Sequence, residues 1–404
     1  MKLDPRFFTD TAVRIIELLR SGGYEAFFVG GCVRDCAMGA FPHDYDITTS
    51  AAPEDVCRVF SAFKTFTVGM SHGTVSVVAD GKSFEITTYR TDGKYSDCRH
   101  PDEVIFSRRL SDDLSRRDFT INALCAAPPD YEVTDMFGGL ADIKACIIKC
   151  IGDPEERFSE DALRIMRALR FAAKLDFYIE KDTARAARVM SGLLRRISSE
   201  RITAELCSLL LFPSALSVIE NYIDIINVIL PGASAACLKF LYSDGVPPLS
   251  LAMAALMCRL SPDEVFIAMR SLKFERRLID GAVKTLSYPD KTPEDEASMY
   301  LAFASHGADI VGDAIKLSAA VSGKTADMSL YNSCRASGRC VSLDTLAVRG
   351  EDFSSRLSGS DIGRALRHAL NLVASGEVAN EHDEIMKKIF ADYRKTGNNI
   401  INNT

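Results

Sequence analysis

The sequence predicts an α+β fold, a head with a mixed sheet followed by an all-helical remainder, and three observations carry this. Alternating β-rich runs are confined to residues 1–150. From about residue 153 the apolar spacing turns helical, as in "FSEDALRIMRALRFAAKL", "KDTARAARVMSGLL" and "SERITAELCSLLL". The later helices are punctuated by Pro213, Pro231-Gly232, Pro247-Pro248, Pro289 and Gly323, with β-rich runs essentially gone. A chain of 404 residues exceeds one compact core, and the changes of pattern place boundaries near 150, 215 and 340.

Taken in order, residues 5–21 have amphipathic spacing, with Pro5 at the start and Gly22-Gly23 at the end, and predict one helix. "YEAFFVGG" predicts a buried strand broken by glycines, "HDYDITTS" a short strand, and "APEDVCRVFSAF" a helix with proline in its first turn. In "GTVSVVADGKSFEITTYR" two alternating runs flank Asp80-Gly81, which predicts a tight hairpin.

The chemistry concentrates in "FFVGGCVRDCAMGAFPHDYDITTS", residues 27–50. Asp44 and Asp46 are two apart, so on a strand both carboxylates face one side. Adjacent anions repel unless a hard divalent cation neutralises them, and a pair of such cations activates a hydroxyl and stabilises a leaving phosphate oxygen. Glu85, in "FEITTYR", is the best third acid. Gly30-Gly31 sits between strand and helix, where bare backbone and N–H groups favour phosphate, and Arg34 adds a positive charge one turn on. A DxD or a glycine pair alone is usually a solvated turn. The order GG-x-x-R-D then D-x-D is more specific, because each part supplies what the others need.

Two further stretches stand out. "DLSRRDFTINAL" places Arg116, Arg117 and Asp118 before an apolar run, and "RFSEDALRIMRALRFAAKL" repeats arginine at 164, 167 and 170, with Asp161 one turn before the first. With "HGTVSVV", "EITTYR", "FGGLADI" and "SERITAEL", these stretches resemble the class II tRNA nucleotidyltransferases, the bacterial-type CCA-adding enzymes, and their poly(A) polymerase relatives. The resemblance is strong to about residue 210, loose from 215 to 340, and visible again in "SGSDIGRALRHALNLVASGEVANEHDEIM". It implies a nucleotidyltransferase head of the DNA polymerase beta superfamily at 1–150. It also implies a helical neck with a nucleotide-recognition helix at 151–215, a helical body at 216–340 and a helical tail at 341–404. It implies template-independent addition of C, C and A to tRNA 3′ ends from CTP and ATP, with Asp44 and Asp46 holding Mg2+ and Glu85 as third carboxylate. Gly30, Gly31, Arg34 and Arg117 fall at nucleotide-contacting positions, Asp118 at one associated with the ribose, and Asp161, Arg164, Arg167 and Arg170 on the recognition helix.

Base-edge chemistry gives that helix a separate rationale. Cytosine and adenine both present an amino donor beside a ring-nitrogen acceptor, which a carboxylate and a guanidinium complement. Guanine and uracil present a carbonyl and a ring N–H, so each contact would be reversed, at about 1–3 kcal/mol in a dry site. The alternative for these residues is an amphipathic helix laced with intrahelical ion pairs.

Other features narrow the reading. The net charge of −7 excludes a uniformly basic coat but not a local basic stripe. Twelve irregularly spaced cysteines without CxxC, and an N-terminus without a signal-peptide core, predict free thiols and a cytoplasmic location. The apolar run 249–257 is too short to cross a membrane. "SGKT" at 322–325 lacks the earlier glycine of a phosphate loop, and His382-Asp383 lacks the further ligands of a phosphohydrolase site. The polar stretch 90–101 matches the family's flexible loop, with Asp97 and Arg99 its residues to test, and its presence counts against CC-only relatives. Backbone contacts to tRNA, at its 3′ end and elbow, are expected from Arg195, Arg196, Arg201, Arg364, Arg367, Lys387 and Lys388, and no protein partner is implied. A poly(A) polymerase, an A-only enzyme and a catalytically silent RNA-binding relative are the competing readings.

Overall fold

The computed structural model describes residues 1–92, 104–289 and 292–396. It divides into two compact units, 1–231 and 232–404.

The first unit opens with a short 3-10 turn, Pro5–Phe7, and then helix α1, Asp10–Ser21. The single helix expected from residue 5 is therefore interrupted. Thr9 takes an extended conformation and its side chain accepts from the Ala12 N–H, which starts α1 afresh. There follow β1 (Ala26–Val29), α2 (Gly31–Ala37), β2 (Asp46–Thr49), α3 (Pro53–Val59), β3 (Lys64–Phe66), β4 (Thr74–Ala79) and β5 (Lys82–Thr88). Next come β6 (Arg90–Asp92), β7 (Val104–Phe106), α4 (Leu110–Ser115), β8 (Leu124–Ala126), β9 (Thr134–Asp135) and α5 (Gly139–Lys144). Seven strands form one sheet in the order β3-β4-β5-β2-β1-β8-β9, with β2 and β5 parallel and the other neighbours antiparallel. The sheet is mixed, as the sequence predicts. At the β4–β5 hairpin Asp80 and Gly81 have φ of 49° and 74°, the two positive values that a type I′ turn requires.

One face of the sheet is dry. Phe28, Ile47, Val75, Val77, Phe84 and Ile86 pack there against Ile15, Ile16 and Leu19 of α1 and Val56 of α3. The strand period of two then sends Asp46, Thr48 and Glu85 to the opposite face. Asp46 and Glu85 are direct register partners across β2 and β5.

Beyond the sheet lie β10 (Ile147–Ile148), α6 (Pro154–Glu160), α7 (Leu163–Leu175), β11 (Tyr178–Ile179), α8 (Lys181–Met190) and α9 (Ser199–Leu210), then α10 (Ala215–Asn221) and α11 (Ile223–Ile229). β10 and β11 pair in parallel, so one short strand does occur past residue 153. The stretch 157–175 is not one helix. Asp161 is extended, with φ −138° and ψ 101°, and its Oδ1 accepts from the Leu163 N–H to start α7. Aspartate favours such a cap over continuing a helix.

The "FGGLADI" stretch shows how closely these elements seat. The Asp135 carboxylate accepts from the backbone N–H groups of Phe137, Gly139 and Leu140. A Cβ on Gly139 would meet the Thr120 carbonyl oxygen at 2.3 Å. Bare Gly139 lets α5 lie against the turn at 120–122, which carries Asn122. Gly139→Ala should lower stability by about 1–3 kcal/mol through overpacking against backbone, read as a reduced Tm in a thermal melt.

The second unit is helical: α12 (Leu238–Tyr242), α13 (Leu249–Leu256), α14 (Pro262–Ser271), α15 (Arg276–Leu286), α16 (Glu296–His306), α17 (Ala308–Val321), α18 (Ser329–Ala336), α19 (Gly350–Phe353), α20 (Ser360–Ser375) and α21 (His382–Thr396). The apolar run read at 249–257 is a core helix, with Leu251–Leu256 wholly buried. Met299, Phe303, Val311 and Ile315 form one core cluster, and Phe353, Ala369, Leu370, Ile385 and Ile389 another. Among the described residues every cysteine is a free thiol, and no helix is long and apolar enough to cross a membrane.

Candidate active site

The open face of the sheet and helix α7 enclose a polar cavity of about 910 Å³. Its lining includes Gly30, Gly31, Arg34, Asp44, Asp46, Arg117, Asp118, Asp161, Arg164, Arg167 and Arg170. The structure thus brings together, from three separate stretches, every site residue expected from the sequence except Glu85. Cations outnumber carboxylates on this wall, so a protein with net charge −7 carries a local basic lobe.

Asp46 begins β2, whereas Asp44 sits in the bend just before it. The strand argument therefore covers one of the two, and the turn delivers the other. The Asp46 carboxyl is pushed above its ordinary pKa, chiefly by burial and then by the Asp44 charge; Arg117 opposes this, and Glu85 adds a smaller push. Such a carboxylate is short of positive charge. Glu85 is exposed on the neighbouring strand and does not line the cavity. Among the described residues no three acidic, histidine or cysteine groups form a closed metal cage. Two carboxylates do fit Mg2+, which usually takes one or two protein carboxylates and fills its shell with water and substrate phosphates. The donor set is all oxygen, and its electrostatic deficit is the one a cation relieves.

The strand-turn-helix around Gly30 explains the neighbouring charge. Gly30 has φ 77°, and a Cβ there would lie 3.2 Å from Arg117 Nη1 and 3.8 Å from Asp46 Oδ2. Glycine leaves room for that guanidinium beside the aspartate. Arg117 is aimed from below by Asp113, a wholly buried acid that the sequence reading passed over. Asp113 accepts from Thr48 Oγ1 at 3.0 Å and pairs with Arg116 at 2.6 Å and Arg117 at 3.1 Å. Burial works to raise its pKa, but the two arginines prevail and hold it below the usual carboxylate range. The signal was present in the spacing: an acid three and four residues before two arginines on a helix end.

Arg34 is buried, donates to Asp35 and to Asn122 Oδ1, and reaches the cavity from α2. Asp118 was expected near a ribose. Its carboxylate lines the cavity, accepts from the Phe119 N–H and Asn122 Nδ2 and pairs with Arg167 at 2.7 Å, so it anchors an arginine of α7. Burial pushes the Asp118 pKa up, yet Arg167 and Asn122 outweigh it and leave it at about 2. A depressed folded pKa contributes stability above the unfolded value of about 3.9, and that contribution is lost as pH falls through the folded value. Asp118→Asn should therefore lower Tm at pH 7, with the gap to wild type closing between pH 4 and about 2 in paired thermal scans.

The arginines of α7 do not form the simple intrahelical ladder of the amphipathic alternative. Arg164 pairs with Glu160 at 2.6 Å and donates to the Arg116 carbonyl oxygen, Arg167 goes to Asp118, and Arg170 to Glu205 of α9. Asp161 Oδ2 accepts from Arg201 Nη2 at 2.8 Å. Arg201, expected to touch RNA backbone, thus lies in the cavity wall. Arg195 and Arg196 belong to a 3-10 turn at Ser191–Arg196, Arg364 and Arg367 to α20, and Lys387 and Lys388 to α21. Asp97 and Arg99 lie outside the described residues. Gly323 follows the C-terminus of α17, which confirms that "SGKT" is no phosphate loop.

Comparison with known proteins places this geometry. Residues 26–149 match the poly A polymerase head domain, and residues 176–237 match the probable RNA and SrmB-binding site of polymerase A. The CCA-adding enzyme of Pediococcus pentosaceus is 35% identical over 390 residues, covering 93% of this chain and 96% of that protein. The chain belongs to the CCA-adding enzymes, a family of nucleotidyltransferases. Identity with the family member of Ligilactobacillus salivarius rises to 48% over 213 residues, about half of each chain. The Bacillus stearothermophilus CCA-adding enzyme, solved in complex with CTP, superposes with a TM-score of 0.75 at 31% identity over 98% of this chain and 99% of that one. A Thermotoga maritima family member, solved with tRNA, shares the fold at a TM-score of 0.64 and 20% identity.

Proposed function

We propose that this protein adds C, C and A to the 3′ ends of tRNA from CTP and ATP, releasing pyrophosphate, without a nucleic-acid template. The observation that carries the residue-level reading is the single cavity lined by Asp44 and Asp46, by an arginine lobe, and by Asp161 with Arg164. The full-length likeness to CCA-adding enzymes supports the substrates, and the absence of a membrane-crossing helix among the described residues is in keeping with work in the cytoplasm.

Asp44 and Asp46 would hold Mg2+, which when bound lowers the pKa of the attacking tRNA 3′-hydroxyl and neutralises charge on the α-phosphate. Arg117, set beside Asp46 by Gly30 and Asp113, donates to the triphosphate. The backbone at Gly31 opens α2 with its N–H groups toward the same phosphates. Arg34, Arg167 and Arg170 supply further positive charge, each fixed by a carboxylate partner. Asp161 accepts from the base amino group and Arg164 donates to the ring nitrogen. Glu85, next to Asp46 in register, adds negative potential at the metal positions.

The deciding experiment incubates the protein with tRNA lacking CCA and with CTP, ATP, both or neither. Incorporation of C from CTP alone, and of CCA from the mixture, is the expected result. Addition of A only, or of a long A tail, would favour a poly(A) polymerase or A-only relative, and no incorporation a silent one. Binding of tRNA should weaken steeply with added salt because phosphate contacts release counterions; an affinity indifferent to salt between 50 and 200 mM, measured by filter binding, would contradict the backbone-contact reading.

A further inference from the structure

Phe171 was not singled out in the sequence, and it has no polar atom to offer a nucleotide. It nevertheless stands at the centre of the arginine lobe. It lies on α7, is 6% exposed, and lines the cavity. The guanidinium carbons of Arg34, Arg167 and Arg170 lie 5.3, 5.3 and 4.2 Å from its ring centroid. Arg34 comes from α2 and the other two from α7, so one ring gathers cations from both sides of the site. Phe119 packs against it edge-on at 5.9 Å and fixes its plane.

Arg34 is anchored by Asp35, Arg167 by Asp118 and Arg170 by Glu205, which also reaches Arg167 at 4.0 Å. Glu205 thus links Arg167 to Arg170, and Asn122 links Arg34 to the Asp118 carboxylate, whereas the Phe171 ring faces all three guanidinium groups at once. Like charges so near repel, and a buried aliphatic side chain would leave that repulsion opposed by the carboxylates alone. The face of an aromatic ring carries negative charge density and attracts cations.

We propose that Phe171 is a positioning residue for nucleotide binding: its ring holds Arg34, Arg167 and Arg170 together as one triphosphate-binding lobe. The inference rests on the nucleotidyl-transfer reading above. It predicts a loss in nucleotide affinity without a matching loss in turnover, because the ring acts on the cations and not on the reacting atoms.

The test compares wild type, Phe171→Leu and Phe171→Tyr in CTP and ATP addition to tRNA lacking CCA, with direct CTP binding by equilibrium dialysis and a thermal melt of each. Leucine keeps the apolar bulk and removes the ring, while tyrosine keeps the ring face. For leucine, KM and Kd for both nucleotides should rise about tenfold with kcat little changed, and tyrosine should stay near wild type. If the leucine variant does not fold, Phe171→Met takes its place with the same expected readings. Wild-type affinity in the leucine or methionine variant, or a tyrosine variant as impaired as either, would overturn the proposal. A wild-type protein that incorporates neither nucleotide would instead strike down the activity it rests on.

Discussion

Asp46→Asn is expected to lower CTP and ATP addition by at least about a thousandfold, equivalent to roughly 4 kcal/mol of transition-state stabilisation, and to leave the fold intact. Electrostatics sets both halves of that result. Asp46 stands on the cavity wall beside the like charges of Asp44 and Glu85, and its pKa is raised by loss of solvent around the carboxyl first and by those acids next. An acid that protonates more readily in the folded state than in the unfolded one destabilises the folded state when ionised. Its contribution improves as pH falls through the raised folded value, the opposite sign to Asp118. Asparagine keeps the shape and removes the anion. The nucleotide-free variant, in chelator, should therefore melt at the wild-type temperature or a few degrees above it while being inactive. Single-turnover assays with CTP and matched thermal scans check the pair of outcomes. Turnover within about tenfold of wild type, a difference of about 1.4 kcal/mol, would refute the catalytic assignment, and a large fall in Tm would show that Asp46 is structural. The same logic explains why the site is built on strand β2: the dry face of the sheet, through Ile47 and Ile86, carries the stability that the charged face gives up.

The sequence carried the site's membership better than its wiring. The hairpin at Asp80-Gly81, the glycine break before α2 and Asp46 on β2 were legible because each depends on a local rule: turn chemistry, backbone freedom, or a period of two; Asp44 reaches the cavity from the bend before β2, outside that period. Asp113 was harder. Its pairing with Arg116 and Arg117 is local, but its burial and its bond from Thr48, a residue far away in sequence on β2, are not. Arg201 is expected at RNA as part of a local basic surface in the neck, and only the packing of α9 against α7 turns it toward Asp161. Asp161 was read as helical because its neighbours are. Whether an aspartate continues a helix or caps the next one depends on what its side chain finds, here the Leu163 N–H and Arg201. Long-range partners of polar side chains are thus what the periodic pattern leaves unspecified.

Those two partners of Asp161 shape the second large effect. On base-edge chemistry alone, exchanging the charges of Asp161 and Arg164 is the direct test of a protein template for C and A. In this structure it would set a new guanidinium against Arg201 and a new carboxylate against Glu160, so both anchors would repel and both side chains would leave their places. Asp161→Asn is the cleaner change. The amide oxygen can still accept from the Leu163 N–H, so α7 keeps its cap. The other arm becomes a donor, which no longer satisfies Arg201 and which can pair with the carbonyl of uracil or guanine. The preference for CTP and ATP over UTP and GTP should then fall by about 1–3 kcal/mol, or roughly 5- to 150-fold, with kcat for CTP reduced far less than in Asp46→Asn. Competition assays with mixed nucleotides on tRNA lacking CCA measure the ratio directly. Glu160→Gln serves as the companion, since it loosens the side chain that holds Arg164 while leaving Asp161 charged. If Asp161→Asn discriminates against UTP as sharply as wild type, the base is selected elsewhere in the cavity, and the pairing of Asp161 with Arg201 is structural alone.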